Sequence, residues 1–270
     1  MSAKEPSKSA PIGIIDSGVG GLSFLRLLRS SQPVEDLIYI ADSAYLPYGA
    51  LSIEQIKYRV LLLGRFLIEK GVKAIVIACN TATAAGIDTL RLESSIPIVG
   101  VEPPIKPAVG SSKRKVVGIW ATPATVQSDR FKRLVTTYES QARFIIQSCH
   151  GLAEAIERNS PLVSDLIENY LNYILSEKAD TLVLGCTHYE LVTAEIYRSA
   201  HEAITIVEPS SGALRQLMKL LDGLDLENEK TQKGFLKLYS TGDAERFLSL
   251  ASPWLAESES FAIQAEKAVI

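Results

Sequence analysis

The sequence predicts an α/β protein made of two related domains that face each other across a cleft. Three observations predict it. Short β-rich runs alternate with helical patterns almost throughout, as in parallel sheets covered on both faces by helices. Three strand-to-loop junctions recur in the same order at nearly one offset. IGIIDS from Ile12 matches VGIWAT from Val117 at an offset of 105, IVIAC ending at Cys79 matches LVLGC ending at Cys186 at 107, and Glu102-Pro103 matches Glu208-Pro209 at 106. The polar landmarks of both halves stand just past apolar runs, at the carboxyl ends of strands where open α/β sheets gather ligand groups. An internal duplication follows, with each half contributing one cysteine to the cleft.

Taken in order, the expected strands are 12–15, 37–41, 74–78, 96–101, 116–120, 142–146, 181–184 and 204–207, with helices between them. The clearest helix starts at Ser52, where Ser52 and Gln55 make a capping-box pattern, Ile56, Val60, Leu63 and Leu67 form one stripe, and Gly71 supplies the stop. A second, from Pro161, carries Leu162, Leu166, Tyr170 and Ile174 at similar spacing. After about residue 215 come a further helix, the charged linker DLENEK, a strand FLKLYS, and a last helix after TGD, where Thr241 or Asp243 can cap.

With 270 residues and 47% apolar content the chain can fill one large core or two ordinary ones. A net charge of -3 gives no broad attraction toward phosphate backbones, so nucleic-acid binding is not expected. No run approaches the roughly 20 apolar residues of a membrane span, and the opening MSAKEPSKSA lacks the apolar segment of a signal peptide. A disordered tail over residues 1–10 and a cytoplasmic location are therefore expected. Three cysteines are an odd number and too sparse for a disulfide framework, so each needs a reason in packing, metal ligation or chemistry.

A thiol at a strand end, just before a helix, gains from the partial positive charge of the helix N-terminus, which lowers its pKa toward neutrality. The same N–H groups, with Asn80, Thr81 and Thr187, suit a small carboxylate. The alternative is that a free cysteine there is a small buried apolar residue. Against that alternative stands the pairing of Cys79 with Cys186 at equivalent positions. Two thiols facing one cleft suit inversion of a carbon centre: a thiolate removes an α-proton while the opposite thiol delivers one to the other face. Asp16 and His188 stand where they can set thiol protonation. Alone, each also reads as ordinary, Asp16 as a turn or cap residue and His188 as a satisfied loop histidine.

Other chemistries fit less well. Cys79, Cys186, His188 and Asp16 lack the C-x₂-C spacing of a zinc site, so no metal is expected. A Cys-His-Asp hydrolase leaves the second thiol unexplained. The loop DSGVGG (16–21) fails as a dinucleotide fingerprint, since G-x-G-x-x-G from Gly18 requires glycine where Ser23 stands, and Asp16 would repel a pyrophosphate. Its glycines, with Ser17 as a donor, instead suit close approach of a small carboxylate to a helix N-terminus.

IGIIDSGVGGLS, ADSAYLPYG, IVIACNTATA, ATPATVQS, LVLGCTHY and STGDAERF together resemble the bacterial glutamate racemases of the aspartate/glutamate racemase family, with matches spanning residues 12–248. The resemblance implies two related Rossmann-like α/β domains with pseudo-two-fold symmetry and an active site in the cleft between them. Residues 11–105 and 216–270 would form the first, 106–215 the second. It implies cofactor-independent interconversion of L- and D-glutamate, a precursor supply for peptidoglycan. It further implies Cys79 and Cys186 as the acid/base pair, Asp16 assisting Cys79, and His188 assisting Cys186. Substrate contacts are implied for Ser17, Tyr48, Gly49, Asn80, Thr81, Thr122, Thr125 and Thr187. A further family carboxylate falls in SCHGLAEAIE on Glu157, with Glu154 as the second candidate. Glu190 replaces a proline common in the family, from which an altered turn is expected. Cys149 matches no catalytic position and reads as structural. Members often dimerise, and no surface stripe here marks such a contact.

Two alternatives stay open at this level: racemisation of aspartate or another acidic amino acid, and a non-catalytic amino-acid-binding protein.

Overall fold

The computed structural model describes residues 6–201, 203–255 and 264–270. Ten strands occur among them: β1 Ile12–Asp16, β2 Leu37–Ala41, β3 Ala74–Ile77, β4 Ile98–Gly100, β5 Val116–Ala121, β6 Arg143–Ser148, β7 Thr181–Gly185, β8 Thr205–Val207, β9 Leu236–Ser240 and β10 Ala265–Lys267. They form a six-stranded sheet, β10-β9-β2-β1-β3-β4, and a four-stranded sheet, β6-β5-β7-β8, and every adjacent pair is parallel. All eight strands expected in the repeated region are present, and FLKLYS supplies β9. The sequence reading missed β10, a three-residue AEK edge strand whose residues are partly or fully exposed and carry no apolar alternation.

The duplication is visible in the strand order, because β2-β1-β3-β4 and β6-β5-β7-β8 are one topology built twice. It extends to packing. A Cβ on Gly13 in β1 would lie 2.8 Å from Leu67 of the helix Ile53–Glu69, and a Cβ on Gly118 in β5 would lie 2.6 Å from Ile174 of the helix Leu162–Ser176. Equivalent glycines thus let equivalent helices settle directly on the two central strands.

The central strands of each sheet are buried on both faces, and their side chains divide by alternation. Ile12 and Ile14 of β1 join Leu25, Leu217 and Phe247 from the helices Leu22–Ser31, Ser210–Gly223 and Ala244–Leu255. Ile15 points the other way, into a cluster with Val60, Leu63 and Leu67. In the second sheet Trp120, Leu182 and Leu184 face one cluster, while Val117, Ile119 and Val183 face another.

The helix 53–69 carries the expected reciprocal cap, with Gln55 N donating to Ser52 Oγ at 3.2 Å and Ser52 N donating to Gln55 Oε1 at 2.8 Å. Gly71 ends it at φ +76°, a left-handed conformation that favours glycine. The stripe expected on the helix 162–176 is corrected. Leu162 is 58% exposed, while Leu166 and Tyr170 are partly buried against the core and Ile174 is buried, and the line of full burial runs through Ile167, Leu171 and Ile174 beside the expected stripe. At the last helix Asp243 supplies the cap, accepting from Arg246 N at 3.0 Å, while Thr241 donates to Asp42 Oδ1 at 2.8 Å.

Of the tail expected over residues 1–10, residues 1–5 lie outside the described residues. Lys8 is tied down, with Nζ 2.7 Å from Asp225 and 2.6 Å from Glu229, and its carbonyl accepts from the buried Lys73 at 2.7 Å. Among the described residues no helix is long and apolar enough to cross a membrane.

Candidate active site

The site is assembled from loops that leave the carboxyl ends of the central strands. Beyond β3, Cys79 is the N-cap of the helix Asn80–Glu93, and its Sγ accepts from Ala82 N at 3.4 Å. Beyond β7, Cys186 caps the short helix Thr187–Leu191, with its Sγ 3.9 Å from His188 Nδ1. Both sulfurs line one compact cavity of about 60 Å³, together with Ser17, Tyr48, Gly49, Thr81, Thr122 and His188. The juxtaposition required by a two-thiol chemistry is therefore present.

Each thiol has its own acid/base neighbourhood. Ser17 Oγ lies 3.8 Å from Cys79 Sγ, and Asp16, at the end of β1, accepts from Gly18 N at 2.7 Å. Burial pushes the Asp16 carboxyl up to about 7, although the His188 charge and the Gly18 N–H pull it down. On the opposite side His188 Nε2 lies 2.7 Å from Glu157 Oε2, which also accepts from Val19 N at 2.9 Å. Burial disfavours the charged His188 ring, but the Cys186 sulfur and the Glu157 carboxylate outweigh it and hold the ring well above its ordinary value, as imidazolium.

One electrostatic expectation is overturned. The helix N-terminus was expected to bring the Cys79 thiol toward neutrality, yet burial first and the Asp16 carboxylate next push it up to about 12. One N–H at 3.4 Å does not compensate for taking a thiolate out of water. Cys79 is held as a thiol.

The glycine loop also differs from its expected use. Two of the chain's own carboxylates meet its N–H groups, Asp16 at Gly18 N and Glu157 at Val19 N, and a Cβ on Gly18 would stand 2.4 Å from Glu157 Oε2. At Gly20 a Cβ would stand 2.4 Å from His188 Nδ1. The glycines admit two side chains carried by the other sheet, which closes the site between the two halves.

The other expected residues divide. Thr81 Oγ1 is 2.9 Å from Thr122 Oγ1 and 3.3 Å from Thr125 Oγ1, a hydroxyl cluster joining the helix after β3 to the loop after β5. Thr81 and Thr122 face the cavity; Thr125 is buried behind them. Asn80 turns away and donates to Val101 O at 3.2 Å. Thr187 is buried without lining the cavity, as is Asp16. Glu154 lines the cavity, whereas Glu157 makes the contact with His188. Cys149 is buried and lines the same cavity.

Sequence reasoning missed what holds the loop bearing Tyr48 and Gly49. Asp42, just past β2, receives a two-point contact from Arg59, Nε at 2.9 Å and Nη2 at 2.7 Å, and the Tyr48 hydroxyl donates to it at 2.6 Å. The available signal was Arg59, a charge set beside the buried stripe of an amphipathic helix.

A sequence profile of the Asp/Glu/Hydantoin racemase family matches residues 12–217. The chain belongs to this family. The chain is similar to a glutamate racemase of Methylococcus capsulatus, 45% identical over 238 residues that make up 87% of this chain and 88% of the relative. A glutamate racemase of Ralstonia pickettii is 41% identical over 254 residues, 92% of this chain and 89% of the relative. Among solved structures, the RacE1 isoform of glutamate racemase from Bacillus anthracis superposes with a TM-score of 0.87 at 28% identity, covering 97% of this chain and 98% of that one. Glutamate racemase of Francisella tularensis, solved in complex with D-glutamate, gives 0.83 at 30% identity, covering 97% and 98%. As a family member the chain is a racemase, an isomerase by class.

Proposed function

We propose that this racemase interconverts L- and D-glutamate by two-base proton transfer between Cys79 and Cys186, in the cytoplasm, supplying D-glutamate for peptidoglycan. The observation that carries the reading is the presence of both sulfurs in one cavity, at equivalent strand ends of two sheets that repeat one topology. Relatives at 41–45% identity named glutamate racemase support the choice of substrate.

In one direction Cys186 removes the Cα proton and Cys79, held as a thiol, delivers its proton to the opposite face. One S–H bond forms as another breaks, and no proton is lost from the pair. In the other direction the roles exchange, with Asp16 beside Cys79 and the His188–Glu157 pair beside Cys186 adjusting protonation. Ser17, Thr81, Thr122 and the Tyr48–Gly49 loop supply the polar groups that line the substrate space.

The test is loss of optical rotation from L-glutamate without added cofactor or metal, with solvent deuterium appearing at Cα. Cys79→Ser and Cys186→Ser should each reduce turnover by about 10² to 10⁴. Wild-type turnover in both variants would remove the mechanism. Rates on aspartate, measured alongside, test the length of the substrate.

A further inference from the structure

Glu190 lies four residues past Cys186, where the resemblance led only to an altered turn. The structure gives its carboxylate three donors from two other helices. Ser23 Oγ donates to Oε2 at 2.5 Å, Ser210 N donates to Oε1 at 2.8 Å, and the Ser210 hydroxyl also donates to Oε2. Ser23 belongs to the helix 22–31 that follows the glycine loop, and its hydroxyl lies 3.0 Å from Gly20 O. Ser210 opens the helix 210–223, which packs in the same core as the helix 22–31.

These contacts meet the catalytic geometry from behind. The helix 187–191 begins at Cys186, carries His188, and ends with Leu191, which packs against the core of the first sheet and the core of the second. Gly20, against which the His188 ring is seated, is the same residue whose carbonyl Ser23 touches. A movement of Glu190 relative to Ser23 is thus a movement of His188 and Cys186 relative to the loop that carries Asp16 and Ser17.

We propose that Glu190 is a positioning residue of this racemase, a carboxylate latch that fixes the helix bearing Cys186 and His188 against the glycine loop of the opposite sheet. The latch rests on the glutamate racemase reading given above. An ionised carboxylate can accept from all three donors; a protonated one must turn one oxygen into a donor and give up part of the clamp.

Burial pushes the Glu190 carboxyl up to about 7, against the lowering effect of the Ser210 and Ser23 donors, and Glu208 pushes it the same way as burial. Arg26, Arg29, Lys233 and Glu208 line, with Glu190, a neighbouring cavity of about 670 Å³, and His188 shares its helix. The sign is fixed: the latch is complete above the titration and loosens as pH falls through it.

The test compares wild type with Glu190→Gln, Ser210→Ala and the double variant on L-glutamate across pH 5.5 to 9. Glu190→Gln keeps the shape but cannot hold three donors, and kcat should fall about tenfold with KM within about twofold, the pattern of a misplaced reacting group. Burial pushes both Asp16 and Glu190 up to about 7, so the acid limb of kcat should be steeper than one proton in wild type and should become a one-proton limb in Glu190→Gln. Ser210→Ala should lower kcat in wild type and do nothing further in the Glu190→Gln background. Should wild type racemise glutamate while Glu190→Gln matches it in kcat and acid limb, the latch is refuted and the racemase reading stands. Should wild type itself fail to racemise glutamate, the reading fails and the latch with it. If Glu190→Gln does not fold, Ser23→Ala, which removes one donor, carries the same kcat test.

Discussion

Gly20→Ala is the most direct test of how closely the two halves are fitted together. A Cβ at residue 20 would lie 2.4 Å from His188 Nδ1, 2.7 Å from Cε1 and 2.9 Å from Cγ, so the new methyl meets the ring along one edge. Restoring ordinary van der Waals separation requires the ring to retreat by about 1 Å. The ring is not free to do so, because Nε2 is held at 2.7 Å by Glu157, which is itself fixed by Val19 N at 2.9 Å. Overpacking of this kind costs about 1–3 kcal/mol of stability. The effect on turnover is larger, since a displacement of about 1 Å at a reacting group can cost about 100-fold in rate. The assay pairs kcat for L-glutamate racemisation with a thermal melt of the same preparation. The expected result is about a 100-fold loss of kcat in a variant that still melts cooperatively a few degrees lower. A Gly20→Ala enzyme with kcat within twofold of wild type would refute the reasoning, because His188 would then have room the structure denies it.

Other outcomes follow from the same geometry. Asp16 has a folded pKa near 7 against an ordinary 3.8, so its ionisation withdraws stability progressively as pH rises from about 4 through 7. Asp16→Asn should therefore gain in melting temperature relative to wild type between pH 5 and pH 8, and an equal difference at both values would contradict the burial argument. Cys79, pushed up to about 12 by burial first and by Asp16 next, should resist alkylation by iodoacetamide at pH 8, and Asp16→Asn should speed its labelling, read by mass spectrometry of the peptide containing residue 79. Arg59→Met leaves Asp42 buried without its cation and should cost about 3–5 kcal/mol in denaturant unfolding. Tyr48→Phe removes one donor to Asp42 and leaves the ion pair, so it should cost about 1 kcal/mol and act mainly on KM through the 46–50 loop.

The sequence by itself determined the repeated architecture and the two thiols. Strand patterns, the capping box at Ser52 and the stop at Gly71 are local signals, and each reports a conformation that its own neighbours impose. The duplication was legible because equivalent strand ends keep the same residues at nearly constant spacing. Only the tertiary structure decided what surrounds those thiols. Glu157 meets Val19 across 138 residues and His188 across 31, contacts with no local signature, and Arg59, whose place beside a buried stripe hints at a partner, finds that partner in Asp42 only inside the packed core. The same holds for the Cys79 thiol, since a local rule predicts a lowered pKa while the enclosing burial and the Asp16 carboxylate raise it. Dihedral preferences and caps act over a few residues of chain, whereas desolvation and charge act through space, and only the folded chain fixes which groups are near in space.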